Sequence, residues 1–222
     1  MFKAKRKWLA GCMSLALSLS LIPATVAASD AQSLSSVTSV STQTFSAQRL
    51  FGADRFETAV KISQAGWNSS EYAVLSAGMD ANLVDALTAA PLAKAKNAPI
   101  LLTEGESLDP KTEAELKRLQ VKTVYVTSGS GVIKSDVTAK LQSMGLTVKA
   151  LGGTDRFETS INIAKELAAV KTFTQLVATT AWTNADALSI SAIAAAKGIP
   201  ILLTDVNEIP ASVSTWTAVR QK

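Results

Sequence analysis

Two arginines set the chemistry that this sequence allows. Arg55 lies in Gly52-Ala53-Asp54-Arg55-Phe56-Glu57-Thr58, and Arg156 lies in Gly153-Thr154-Asp155-Arg156-Phe157-Glu158-Thr159, 101 residues further on. A guanidinium grips phosphate or carboxylate in a bidentate fork. Two other segments recur at the same offset: Asp85-Ala86-Leu87 as Asp186-Ala187-Leu188, and Pro99-Ile100-Leu101-Leu102-Thr103 as Pro200-Ile201-Leu202-Leu203-Thr204. Thr103 and Thr204 would end a strand, the side of an open α/β sheet where ligands bind. Arg55, Arg156, Asp85, Asp186, Thr103 and Thr204 are therefore the candidate ligand contacts.

Each candidate also has a structural reading. Gly52 lets the chain turn, Asp54 caps a helix, Glu57 completes a capping box and Phe56 packs inward, which leaves only Arg55 without a local task. A third option buries an arginine between units, paired with Asp85 or Asp186. The Asp-Ala-Leu segments read equally as helix caps, and Pro-Ile-Leu-Leu-Thr as a buried strand. Lys94, Lys96 and Lys197 complement a helix C-terminus or form a small anion-attracting patch.

The absences exclude whole classes of chemistry. The chain has no histidine, and its one cysteine is Cys12. Zinc hydrolases need imidazole or thiolate ligands, and triad hydrolases usually need histidine. A carboxylate-pair glycosidase needs two converging acids, but most acids here fall at helix starts or on exposed helix faces. Ser128-Gly129-Ser130-Gly131 lacks both the Gly-Lys-Ser/Thr and the Gly-x-Gly-x-x-Gly patterns of a phosphate loop. No catalytic residue, metal site or cofactor is expected.

Three ordered motifs with one offset mark a duplicated unit of about 100 residues. In the first unit, short apolar or β-branched runs at 72–76, 99–103, 123–127 and 146–151 alternate with helical stretches at 56–65, 84–96, 110–120 and 135–145. Pro91 is expected to kink or divide the second of these helices. Asp109 is read as an N-cap with Pro110 at the first helical position, and Ser135 as the cap of a further helix. The pattern predicts an α/β fold of tandem three-layer units with mainly parallel sheets. The second unit is expected to be incomplete, because its third strand would map beyond Lys222. An unpaired sheet edge there would invite self-association.

The N-terminus reads as an export signal over 1–28: Lys3, Lys5, Arg6 and Lys7, an apolar stretch, and Val26-Ala27-Ala28 as small residues before cleavage. The apolar run is too short for a retained membrane span. Residues 29–48, rich in Ser and Thr, read as a flexible linker. Four of the 22 basic residues and none of the 18 acidic ones lie in the signal, so the remainder carries 18 of each. The net charge of +4 belongs to the signal and gives no ground for a nucleic-acid partner.

The repeated Gly-x-Asp-Arg-Phe-Glu-Thr, Asp-Ala-Leu and Pro-Ile-Leu-Leu-Thr, in that order, resemble the cell wall binding repeat 2 family, the anchoring modules of Gram-positive surface proteins and autolysins. The resemblance implies a first repeat over 49–150 and a truncated second repeat over 151–222. It implies a secreted, wall-associated binding protein that is not an enzyme, held non-covalently by an anionic polymer such as teichoic acid or a surface polysaccharide. Family modules usually pack in threes. An alternative implication is the targeting region of a truncated peptidoglycan hydrolase, an N-acetylmuramoyl-L-alanine amidase or protease.

Overall fold

The structure, a computed structural model, describes residues 46–220. The expected signal peptide, and the expected linker apart from its last three residues, lie outside that range. Helix α1 (Arg55–Gly66) starts where the sequence places it. Asp54 has extended backbone, and its carboxylate accepts from the Glu57 N–H at 2.7 Å. The return arm of the box lands one residue early: Glu57 Oε2 accepts from the Ala53 N–H at 3.1 Å. Together these bonds satisfy donors that a helix start otherwise leaves open. The second copy repeats the arrangement through Asp155, Glu158 and Thr154 at the head of α6 (Arg156–Ala168). It also explains the motif's glycine. A Cβ on Gly52 or Gly153 would lie 2.4 or 2.5 Å from the Cβ of the folded-back glutamate.

Strands β1 (Tyr72–Ala77), β2 (Ile100–Thr103), β3 (Thr123–Val126) and β4 (Thr147–Ala150) form one parallel sheet in the order β2-β1-β3-β4. Between β1 and β2 run α2 (Leu83–Thr88) and α3 (Ala90–Ala95), divided as Pro91 requires, with the proline in the first turn of α3. Helix α4 (Pro110–Leu119) is capped by Asp109, which accepts from Lys111 and Thr112, and ends at left-handed Gln120. The reading of Ser135 as a cap is corrected. Ser135 is the first residue of α5 (Ser135–Ser143), the cap is Lys134, and no side chain bonds the helix end. The Lys134 N–H is held instead by the Gly105 carbonyl at 2.8 Å, so the loop after β2 sets where the helix begins.

The second copy supplies α6, β5 (Val177–Thr180), α7 (Asn184–Lys197), β6 (Ile201–Thr204) and α8 (Ala211–Arg220), with β5 and β6 parallel. Helix α7 is continuous where α2 and α3 are split, because Ala192 stands in place of Pro91. The single offset holds for the motifs but not between them. Ala77 pairs with Thr103, whereas Thr180 pairs with Thr204, so β5 follows β1 by 103 residues. The difference is recovered before α7, where the first copy carries a 3-10 turn at Asp80–Asn82.

Strand alternation sends side chains to two helical layers. Ala73, Leu75, Ala77, Val124 and Val126 face α1, α4 and α5 through Val60, Leu116, Leu119, Val137 and Leu141. Val74 and Tyr125 face α2 and α3 through Ala89 and Leu92, and Ile163 of α6 joins the same cluster. The second copy thus supplies part of the layer that covers the first sheet.

Candidate binding site at the strand ends

The six residues singled out by the repeat gather around the carboxyl ends of the strands, in two unequal settings. In the first copy, Arg55 donates through one terminal nitrogen to the Gly78 carbonyl at 2.6 Å and to the Asp80 carboxylate at 2.5 Å. The α1 cap fixes the backbone of Arg55, and the turn after β1 presents the carbonyl. Gly78 is needed because a Cβ there would lie 2.5 Å from the Phe56 ring. Arg55 borders a cleft of about 420 Å³ lined by Phe56, Gly78, Met79, Asp80 and Glu104. Two acids therefore share the opening with this guanidinium. An anionic ligand would have to displace Asp80 from it.

In the second copy, the Arg156 guanidinium donates to the Ala181 carbonyl at 2.5 Å, and Ala181 is the structural counterpart of Gly78. The next two positions differ. Trp182 replaces Met79 and lies under the guanidinium, 4.7 Å from its carbon to the ring centroid. Thr183 replaces Asp80, so no acid is bonded to Arg156 among the described residues. Trp182 is largely exposed, stacks edge-on against Phe157 and donates its indole N–H to Asp205 at 3.1 Å. A guanidinium over an exposed aromatic ring can grip an anionic group, while the uncovered part of the ring offers an apolar contact beside it. Trp182, just after β5 and outside the repeated motifs, was missed by the sequence reading.

Asp85 and Asp186 do not cap helices, which corrects that reading. Asp85 sits inside the first turn of α2, 5% exposed, and its Oδ1 has no hydrogen-bond partner among the described residues. Burial pushes its carboxyl up to about 6, against the pull of the Ser128 hydroxyl and the charge of Arg156. Arg156 and Asp85 thus meet electrostatically across the two copies, without a direct ion pair. Asp186 in α7 is exposed and accepts from Thr183 Oγ1 at 3.4 Å. Thr103 is spent on its own loop: its hydroxyl donates to Ser107 O and accepts from Asp109 N–H. Thr204 is partly exposed and donates to Thr179 O at 3.3 Å.

The remaining basic and glycine-rich features also fall into place. Lys96 lies 4.8 Å from the Tyr72 ring centroid, which holds its charge against the sheet. The Ser128–Gly131 loop turns on itself, with Gly129 O accepting from Val132 and Ile133. No cluster of three or more metal-ligating side chains occurs among the described residues. No helix among them is long and apolar enough to cross a membrane.

Comparison with known proteins gives this site a context. The profile of Cell wall binding domain 2 (CWB2) matches residues 49–138 and 150–220. The N-acetylmuramoyl-L-alanine amidase LytC of Bacillus subtilis (strain 168) is 32% identical over 177 residues, 80% of this chain and 34% of the amidase. The amidase enhancer of the same organism is 36% identical over 162 residues, 73% of this chain and 22% of the enhancer. The chain thus spans about a third or less of these relatives. Among solved structures, Cwp6 from Clostridium difficile superposes with a TM-score of 0.72 at 35% identity, covering 77% of this chain and 27% of Cwp6. Cwp8 from the same organism gives 0.68 at 39% identity, with 75% and 29% covered. With its α/β architecture of parallel sheets and both motif copies inside the matched segments, this chain belongs to the cell wall binding domain 2 family.

Proposed function

We propose that this chain is an exported module that anchors non-covalently to an anionic polymer of a Gram-positive cell wall, with Arg156 and Trp182 as its principal contact. The observation that carries the reading is the stacked pair itself: a guanidinium pinned by one nitrogen to Ala181 O, with no acid bonded to it among the described residues, over an exposed indole. Teichoic acids and phosphate-bearing polysaccharides offer such a pair both an anion and a sugar face. Export is read from the basic and apolar residues of the N-terminus. Arg55, half-exposed and partly neutralised by Asp80, is the weaker contact. Asp186 and Thr204 flank the stronger one, and Asp85 lies within range of its charge, while Thr103 holds its own loop.

The test is co-sedimentation of the chain with purified walls before and after the anionic polymers are stripped. Retention falls on stripped walls and weakens with added salt. Equal retention on both would overturn the reading. A second reading is favoured by the match to one third of LytC: the module targets a peptidoglycan hydrolase carried on the same gene. A longer reading frame encoding a catalytic domain would establish it.

A further inference from the structure

We propose that the cleft between α6 and α8 binds a primary ammonium group on an aliphatic arm, as a lysine-type side chain carries, with Asp155 and Glu158 as its carboxylate ligands. The inference goes beyond the wall reading and does not rest on it. Its basis is an ammonium site that the chain builds once within itself. In the first copy the capping pair, Asp54 and Glu57, has a second task. The Lys111 ammonium, on α4, donates to Asp54 Oδ2 at 2.8 Å and to Glu57 Oε2 at 3.3 Å. The bond to Asp54 raises the lysine above its usual value, as expected where the charged form is the one held. This cap geometry therefore ligates an ammonium as well as starting a helix.

The second copy keeps both acids and changes the lysine. Lys111 is the second residue of α4, and the second residue of α8 is Ser212. Asp155 Oδ1 and Glu158 Oε2 make the same cap bonds as in the first copy, and the Thr154 hydroxyl adds one to Glu158 Oε2 at 2.7 Å. Asp155 Oδ2, the counterpart of the oxygen nearest Lys111, accepts from no group among the described residues. The two acids border a cleft of about 570 Å³ whose other walls include Ile161, Ser212, Trp216 and Val219. Trp216 and Val219 stand where the first copy carries Glu115 and Arg118. Apolar surface thus replaces a polar anchor, and the methylenes of an aliphatic arm can lie on it while the charged end meets the acids. Lys165 also lines the cleft, but it sits two turns along α6 and touches Glu158 only through its field. The equivalent place is open in the first copy too, beside its four-stranded sheet: Lys111 and Asp54 are 42% and 43% exposed. One ammonium on two solvent-facing carboxylates binds weakly, on the order of millimolar.

The experiment is an NMR titration of the full chain at low salt with Nα-acetyl-L-lysine methylamide, read at the Trp216 indole N–H and the backbone amides of 154–158. Nα-acetyl-L-norleucine methylamide, which keeps the arm and lacks the charge, is the control. Two variants go with it. Asp155→Asn combined with Glu158→Gln removes both charges and keeps both cap acceptors. Ser212→Lys gives the second copy the lysine of the first, at an exposed position. Circular dichroism is expected to show both folded. The lysine probe is expected to give saturable shifts in the parent, and the norleucine probe none at these signals. The double variant is expected to weaken binding several-fold, and Ser212→Lys to abolish it by supplying its own ammonium. Three results would each overturn the proposal: no saturable shift up to about 100 mM lysine probe; equal shifts from the norleucine probe, which would make the cleft merely apolar; or unchanged binding in either variant.

Discussion

Asp85 and Arg156 belong to different copies of the repeat, yet the charge of Arg156 reaches the buried carboxyl of Asp85. Asp85 is buried, with its carboxyl raised from 3.8 to about 6, and Arg156 is a charge that holds it from rising further. A raised carboxyl binds protons better in the folded state. Stability from this group is therefore unaffected below about pH 4, falls as pH rises through about 4 to 6, and stays reduced above. The loss is on the order of 3 kcal/mol at neutral pH. Asp85→Asn should accordingly raise the melting temperature at pH 8 relative to the parent and leave it nearly unchanged at pH 4. Thermal scans across that range check it; a constant difference at all pH values would count against the buried charge.

Arg156→Ala should push the Asp85 carboxyl higher, because the favourable charge is lost while the burial remains. Carboxylate chemical shifts followed through a pH titration read this directly. Arg55→Ala should leave the same resonance in place, since Arg55 is committed to Gly78 and Asp80 instead.

Ser63, Glu115 and Arg118 form a polar anchor between α1 and α4 that sequence reading passed over. Glu115 is almost fully buried, accepts from Ser63 Oγ at 2.5 Å and takes two nitrogens of Arg118, each at 2.7 Å. Burial alone would raise its carboxyl, but the bonds from Arg118 and Ser63 overcome that and leave it lowered. Arg118 also donates to the carbonyls of Trp67 and Asn68. Arg118→Ala leaves a buried carboxylate without its charge partner, and should cost roughly 2–3 kcal/mol. Denaturant titration measures it. The parent loses this contribution as pH falls through the lowered Glu115 range, so the gap between the two proteins should narrow in acid.

Gly152 is required by a crossing of chains. A Cβ there would lie 2.3 Å from Ser128 O and 2.4 Å from Gly129 N. Backbone cannot yield as a side chain can, so Gly152→Ala should destabilise by about 2 kcal/mol or more. The equivalent position in the first copy is Phe51, exposed, with no preceding strand end to meet. Phe51→Ala should be nearly neutral, and paired melting curves of the two variants would separate the cases.

At the proposed wall contact, Arg156→Lys should keep the charge but lose the planar stack on Trp182, and Trp182→Ala should remove the stack while keeping the charge. Both are expected to lower retention on intact walls several-fold, with little change on stripped walls. Unchanged retention in both variants would remove the site from the proposal.

What could be read from sequence was local. Asp54 with Glu57, Asp109 with Pro110, and the division at Pro91 are contacts within four residues, and each appears as expected. Ser135 misled because the helix start there is set by Gly105, thirty residues away. Glu115 was invisible for the same reason: an i,i+3 pair with Arg118 reads as an exposed helix face until α1 lays Ser63 over it. An arginine buried between units and paired with Asp85 or Asp186 was one of three options; the packing of α2 on α6 brings the charge of Arg156 within reach of Asp85, but Arg156 is only half-buried and no ion pair joins the two among the described residues. The difference between the two arginine settings is carried by Trp182 and Thr183, which lie outside the repeated motifs that drew attention.

The passage from β4 to the second motif has no slack. Strand β4 ends at Ala150, and the very next residue, Leu151, donates to Val126 O and sits in the cluster with Tyr125 and Ile163. A boundary that sequence comparison draws between two repeats is thus, mechanically, the middle of one core. Neither copy can loosen without exposing the other's buried face, so the pair should melt as a single cooperative transition and present no protease-sensitive hinge at that junction. Under tension, the two copies would then yield together as one mechanical element.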